Sequence, residues 1–353
     1  MRWLGFARQL TGKRHFWSLA MLALLLAYNL VRDPHFFAIS MYDGHLTGSL
    51  VDILVRGAPL LIISMGLTLV VATHGIDISV GAVVAISGAV AAALIGGQLS
   101  GETGMGEVTR FALPVVITGA LGLALLLGIW NGTLVAYFGL QPIIATLILL
   151  GIGRGVAQLI TDGQIITIYY SPYAFFGRGF LLGLPFSLFI VAAVAAVLTL
   201  LTRKTALGLF IEAIGDNPVA SRLAGVRART ITVAVYAVCS LCAGIAGVIG
   251  SSNLMSADGN NAGLWIELDA ILAVVLGGTP LSGGKFSLAG SVMGALIIQT
   301  LATTILSAHV APEITLVVKG IVVFIVSILQ SERIKMLLGS NRQDPTRTKG
   351  TPG

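Results

Sequence analysis

Short polar breaks cut the chain into apolar stretches, and a helix that crosses a bilayer needs about 20 such residues. The stretches lie near 16–32, 53–73, 79–97, 112–135, 142–161, 184–201, 231–251, 268–278, 286–307 and 314–330. The eighth is too short alone and is expected to extend N-terminally through Leu264–Glu267. The breaks at 74–78, 136–141 and 279–285 are tight, so each reads either as a loop or as an interruption within a discontinuous helix. Eight to ten spans follow, with ten preferred. Only 10% of the 353 residues are charged, which argues against a soluble enzyme, because so few charges cannot cover a soluble surface. The fold class expected is all-α integral membrane, a polytopic bundle of about 8–10 transmembrane helices.

Ten spans put both termini on one side, and the basic residues indicate which. One side would hold Arg2, Arg8, Lys13, Arg14, Arg203, Lys204, Arg222, Arg227, Arg229, Lys285, Arg333, Lys335, Arg342, Arg347 and Lys349, which is 15 of the 21. The other would hold Arg32, Arg110 and Arg178, while Arg56, Arg154 and Lys319 fall within spans. By the positive-inside rule the termini are cytoplasmic. The net charge of +6 is therefore spread along one membrane boundary, and no nucleic-acid partner is expected. The first stretch resembles a signal peptide but meets no small-residue cleavage site, so it reads as an uncleaved anchor. This divides the chain into a cytoplasmic N-terminal segment (1–15), a transmembrane domain (16–330) and a basic cytoplasmic tail (331–353).

Small residues four apart mark close helix packing in membranes. Gly81/Ala85/Ala89, Cys239/Ala243/Gly247, Gly128/Gly132, Gly151/Gly155 and Gly290/Gly294 have that spacing. Cys239 and Cys242 sit inside a span, where packing accounts for them better than a metal or redox pair. Between spans on the inner side lies the polar segment 202–230. Asn217-Pro218 is a helix start and Gly225 a helix stop, which predicts a short amphipathic helix over Pro218–Ala224 with Val219 and Leu223 on one face. Such a helix suits docking into a groove on a cytosolic partner. The plain alternative is a loop helix lying on the membrane surface.

That segment also carries a resemblance. Gly208, Glu212-Ala213-Ile214-Gly215, Asn217, Ala220, Arg222 and Leu223-Ala224-Gly225-Val226 resemble the coupling segment of ABC importer permeases of the ribose/simple-sugar branch. Gly75-Ile76-Asp77-Ile78-Ser79-Val80-Gly81, Asn131-Gly132 with Gln141-Pro142-Ile143-Ile144-Ala145-Thr146-Leu147, and Leu276-Gly277-Gly278-Thr279 with Gly283-Gly284 match further blocks of that family in the same order. The blocks run from about 50 to 330. Within the branch, residues 154–164 and 260–271 resemble most the galactofuranose-type permeases. His74, where the family usually has a small residue, and Ile143, in place of its usual Phe, depart from the pattern.

The resemblance implies a permease subunit in a bacterial inner membrane that translocates a monosaccharide such as galactofuranose. It implies a cytosolic ATPase subunit that holds ATP and Mg, a second and related permease chain, and a periplasmic sugar-binding protein. It assigns coupling to Gly208, Glu212, Ala213, Gly215, Asn217, Ala220, Arg222 and Gly225. This chain itself is expected to carry no cofactor, no metal and no catalytic residue. Leu281-Ser282-Gly283-Gly284-Lys285 resembles a nucleotide loop, but Thr279 and Phe286 occupy positions that a phosphate loop gives to Gly and Ser/Thr.

Polar groups at membrane depth usually face protein or a water-filled path. Asp77, Ser79, Asn131, Gln141 and Asn253 are the candidates for a substrate pathway, with Trp130 and Trp265 as possible stacking or interface groups. A structural role is equally open: Asp77 can cap the helix that starts at Ser79, or pair with Arg56 or Arg154. The rival reading is an ion-coupled secondary transporter, for which His74 and Asp77 are the available titratable groups. The junctions at 70–84 and 274–288 look alike, which suggests a parallel internal repeat.

Overall fold

A computed structural model describes residues 16–42, 44–96, 98–99, 111–308, 314, 317–321 and 324. The segments 1–15 and 331–353, with nine of the basic residues used for orientation, lie outside the described residues. Six helices are long and apolar enough to cross a membrane, and the chain is a multi-pass helical membrane protein.

The first helix, α1, covers Phe16–Arg32, and a hairpin follows (β1 Ser40–Tyr42, β2 His45–Thr47). Helix α2 (Ser49–Ala72) is buried along most of its length. Helix α3 (Val80–Ile95) ends at Gly96 in the left-handed region, and a short strand β3 (Gln98–Leu99) comes next. Prolines at the first turn open α4 (Leu113–Ala136) and α5 (Pro142–Ile160), where a missing N–H costs nothing. The chain then forms β4 (Ile165–Thr167), α6 (Ser171–Arg178), β5 (Phe180–Leu181), β6 (Leu184–Pro185) and α7 (Phe186–Lys204). Two short helices, α8 (Leu207–Asp216) and α9 (Pro218–Leu223), precede the 27-residue α10 (Ala228–Leu254). Strand β7 (Ser256–Asp258), α11 (Ile266–Leu276) and α12 (Leu288–Ser307) complete the elements.

The helix limits follow the apolar stretches closely, with one exception. Trp265 has φ 65° and ends the approach to α11, so the expected extension through Leu264 does not form. At 1.5 Å per residue the 11 residues of α11 reach about 16 Å, half of a hydrocarbon core. This element is half a span. The other half is the irregular stretch after β7, which dips into the bundle until Gly263 touches Gly81 in the first turn of α3. A Cβ on Gly263 would sit 2.6 Å from the Gly81 carbonyl. Irregular backbone at that depth is tolerated where protein satisfies it. Here Arg154 on α5 donates through Nη1 to the Ala262 carbonyl at 2.5 Å.

The core forms where α10 crosses α2, α3 and α4. Gly128 and Gly132 let α4 lie on the α10 backbone, since a Cβ on Gly132 would come within 2.6 Å of Val233 Cα. Cys239 and Cys242 press against Gly66 of α2, as packing residues do. Gly151 and Gly155 differ: each faces open space, so this pair packs no helix among the described residues. The two ends of the bundle are distinct. At one, β3, β4 and β7 form an antiparallel sheet that gathers the ends of α3, α5 and α10. The other carries α8 and α9.

Candidate functional site

The α8–α9 end is built around a backbone knot. Helix α8 was not foreseen as a separate element. It buries Gly208, Ile211, Ile214 and Gly215, while Glu212 and Ala213 are half-buried. A Cβ on Gly208 would collide with the Thr202 carbonyl, and one on Gly215 with the Ala72 carbonyl and the Gly284 amide. The Gly284 amide donates to the Ala72 carbonyl at 2.9 Å, so the end of α2, the end of α8 and the loop before α12 meet at one point. His74 stands beside it with φ 67°, and its Nδ1 lies 2.7 Å from the Ser282 carbonyl. That bond ties His74 to the loop before α12. The two look-alike junctions therefore lie against one another.

Helix α9 is displayed from this knot. Asn217 Oδ1 accepts from the amides of Val219 and Ala220 at 3.0 Å each, capping the helix as expected. Ser221 is the buried anchor: its Oγ donates to the Ala213 carbonyl at 2.7 Å, which clamps α9 onto α8. Gly225 ends the helix at φ 84°. Val219, Ala220, Arg222 and Leu223 face outward, with Leu223 87% exposed. Two apolar side chains and one cation thus stand uncovered on a rigid, short helix. That pattern suits a groove on another protein rather than this chain's own core.

The five candidate pathway residues separate into two groups. Asp77, Ser79 and Asn131 come together, all fully buried. Asp77 Oδ1 accepts from the Ser79 amide at 2.9 Å and from Ser79 Oγ at 2.6 Å, and Asn131 Nδ2 donates to Ser79 Oγ at 2.9 Å. The chain of bonds fixes the break between α2 and α3 against α4; Asp77 holds Ser79 just ahead of α3 and makes no ion pair with Arg56 or Arg154. Gln141 is exposed at the start of α5, and Asn253 is half-buried near the sheet end, where its carbonyl accepts from Arg178. Gln141 and Asn253 belong to opposite ends and form no common site. Asp269, by contrast, receives Lys319 Nζ at 2.6 Å in an ion pair. Trp130 and Trp265 are both about half exposed.

Among known proteins, the chain is 50% identical over 344 residues (95% of this chain, 97% of the relative) to the galactofuranose transporter permease protein YtfT of Escherichia coli (strain K12). It is 38% identical over 338 residues (94% and 92%) to the fructose import permease protein FruF of Bifidobacterium longum. The ribose import permease protein RbsC of Escherichia coli (strain K12) is 34% identical over 335 residues (92% and 98%). No solved structure matches it. A model of the branched-chain amino acid transport system / permease component family covers residues 49–327, from the start of α2 to beyond α12, and the chain belongs to that family.

Proposed function

We propose that this chain is the membrane-spanning subunit of an ATP-driven importer in a bacterial inner membrane, and that its cargo is a monosaccharide of the galactofuranose class. The 50% identity to a galactofuranose permease supports the cargo, with fructose and ribose permeases as further relatives. The α8–α9 end is cytoplasmic in this reading, because Arg203, Lys204, Arg222, Arg227 and Arg229 cluster there. A periplasmic binding protein delivers the sugar at the sheet end. ATP and Mg bind a separate cytosolic ATPase.

The observation that carries the reading is the exposed helix α9 bolted, through Ser221 and Gly215, to the ends of α2 and the α11–α12 loop. ATP can drive transport only if its binding favours one conformation of the ATPase dimer over another. A displacement of α9 by that dimer is passed to α8 through the chain and the Ser221 clamp, and from Gly215 to Ala72 and Gly284 by backbone contact. Glu212, Arg222 and Asn217 sit at or beside the contact and complete the coupling set. A second, related permease chain covers the face of α5 that this chain leaves bare.

The test is to purify the chain with its ATPase and add sugar-loaded binding protein. ATP hydrolysis that rises with loaded binding protein is the expected result. Uptake that continues without ATP but stops when the proton gradient is dissipated overturns the reading in favour of an ion-coupled carrier.

A further inference from the structure

Beside the α8–α9 end lies a cavity of about 750 Å³ between α7, α8 and α12, floored by α2. Its walls are of two kinds. Ala195 and Val292 give an apolar lining backed by the buried Met65, while Thr202, Arg203 and Glu212 bring polar and charged groups to it. Ala195 lies nine residues before the end of α7, so the apolar part extends about 13 Å into the bundle, comparable to one leaflet's hydrocarbon depth.

The two charges are the telling feature. Arg203 and Glu212 line the same cavity with opposite sign, yet neither joins any ion pair or hydrogen bond among the described residues. Opposite charges that share a wall without pairing suit a ligand that carries both charges itself. A guanidinium presents a fork of donors to phosphate, and a carboxylate accepts from an ammonium. The apolar depth below them suits an acyl chain.

We infer that this cavity is a phospholipid site for phosphatidylethanolamine, with the phosphate on Arg203, the ammonium on Glu212 and an acyl chain along Ala195 and Val292. The inner-leaflet placement rests on the orientation proposed above; the pairing of charges does not. Three headgroups discriminate. Phosphatidylglycerol satisfies Arg203 only. Phosphatidylcholine carries a quaternary ammonium with no N–H to donate to Glu212. Phosphatidylethanolamine satisfies both. The lipid would bridge α7, α8 and α12, and α8 carries Gly215 of the knot.

The experiment is native mass spectrometry of the purified, delipidated complex titrated with the three lipids at matched acyl chains. Phosphatidylethanolamine is expected to bind most tightly to the wild type. Arg203→Ala should weaken it about tenfold, the loss expected for one charge-assisted bond. Glu212→Gln should abolish its preference over phosphatidylglycerol. A photoactivatable phosphatidylethanolamine, independent of any variant, should label peptides that contain Ala195 or Val292. Undiminished binding to Arg203→Ala, no preference among the headgroups, or labelling elsewhere on the chain overturns the proposal. Soluble phosphoethanolamine that displaces the lipid at equal concentration also overturns it, since the ligand would then be a free zwitterion. Loss of sugar uptake with lipid binding intact would count against the transport reading and leave this one standing.

Discussion

Gly215 and Gly225 stand ten residues apart on one segment and answer to opposite constraints. Gly215 is needed for close approach, because any side chain there collides with the backbone of Ala72 and Gly284. Gly225 is needed for its dihedral, φ 84°, with open space around it. Gly215→Val should therefore cost about 1–3 kcal/mol or more as overpacking, lower the thermal midpoint and uncouple ATP hydrolysis from sugar uptake. Gly225→Asn should be nearly silent and Gly225→Val should cost about 1 kcal/mol, read as midpoint shifts of the detergent-solubilised complex. Equal losses for Gly215→Val and Gly225→Asn would remove the knot from the explanation. Asp77 has a comparable test. Its Oδ1 accepts two bonds from Ser79, which an amide oxygen can also accept. Asp77→Asn should keep ATP-driven uptake within a few-fold of wild type, whereas Asp77→Ala should lose about 1 kcal/mol of stability with those bonds. Abolished uptake in a stable Asp77→Asn protein would restore Asp77 as a proton relay.

Asp258 sets a pH dependence at the sheet end. Its partial burial acts to raise the carboxyl pKa, but bonds from the Asn261 side chain and from the Asn261 and Asn260 amides, with Arg154 nearby, outweigh it and hold the group below its ordinary 3.8. A depressed carboxylate stabilises the fold above its unfolded pKa and loses that contribution as pH falls through the folded value. The turn at 258–261 should thus stay intact down to about pH 4 and loosen below it. Fluorescence of Trp265, seven residues on, is a suitable monitor against an otherwise identical Trp265→Phe blank, and Asp258→Asn should flatten the transition. A transition centred above pH 5 would contradict the assignment.

At the scale of elements, the half-helix α11 packs against α2 and α12, burying Ala270, Ala273, Val274 and Leu276, and one ion pair adds to that packing. Lys319 reaches Asp269 from the helical turn at 317–321, and both side chains are mostly covered. Removing one partner strands the other charge away from water. Lys319→Ala should cost about 3 kcal/mol, and the exchange Lys319→Asp with Asp269→Lys should recover part of it. Additive losses in the exchange, measured by thermal unfolding, would show that the pair makes no net contribution. Much of this architecture was legible in the sequence. The apolar stretches set the helix limits within a few residues, and Asn217, Pro218 and Gly225 marked α9 because caps act locally. What stayed hidden depends on contacts distant in sequence. The N-terminal limit of α11 is set where Gly263 meets Gly81, and no local signal reports that meeting. Helix α8 has no side-chain cap to announce it, and its burial arises only when Gly215 reaches Ala72. Asp77, Ser79 and Asn131 stand out in the sequence as polar groups at membrane depth, and the structure joins them in one buried hydrogen-bond network, but their chemistry alone does not separate a structural network from a substrate path.

At the scale of the whole molecule, the uneven covering of the helices is the main fact. α2 is buried along most of its span, whereas α4, α5 and α7 leave most side chains open. For α7 a lipid surround is sufficient. For α5 it is not, because Gly151 and Gly155 lie four apart on a bare face with nothing within 4 Å of either Cβ position. Against lipid, a glycine pair in a helix interior costs about 1 kcal/mol per residue relative to alanine and returns no packing. Small residues at that spacing serve close helix contact, and within the described residues no helix supplies one. In the proposed importer, a second permease chain is the partner that would use them. Gly151→Leu and Gly155→Leu should leave the thermal midpoint of the isolated chain unchanged or slightly raised, because the new side chains enter open space. The same substitutions should reduce permease pairing by about tenfold, seen as lost crosslinking between a cysteine placed at Ile148 or Ile152 of this chain and one on the matching helix of the partner. Pairing that survives both substitutions would move the interface to another face of the bundle.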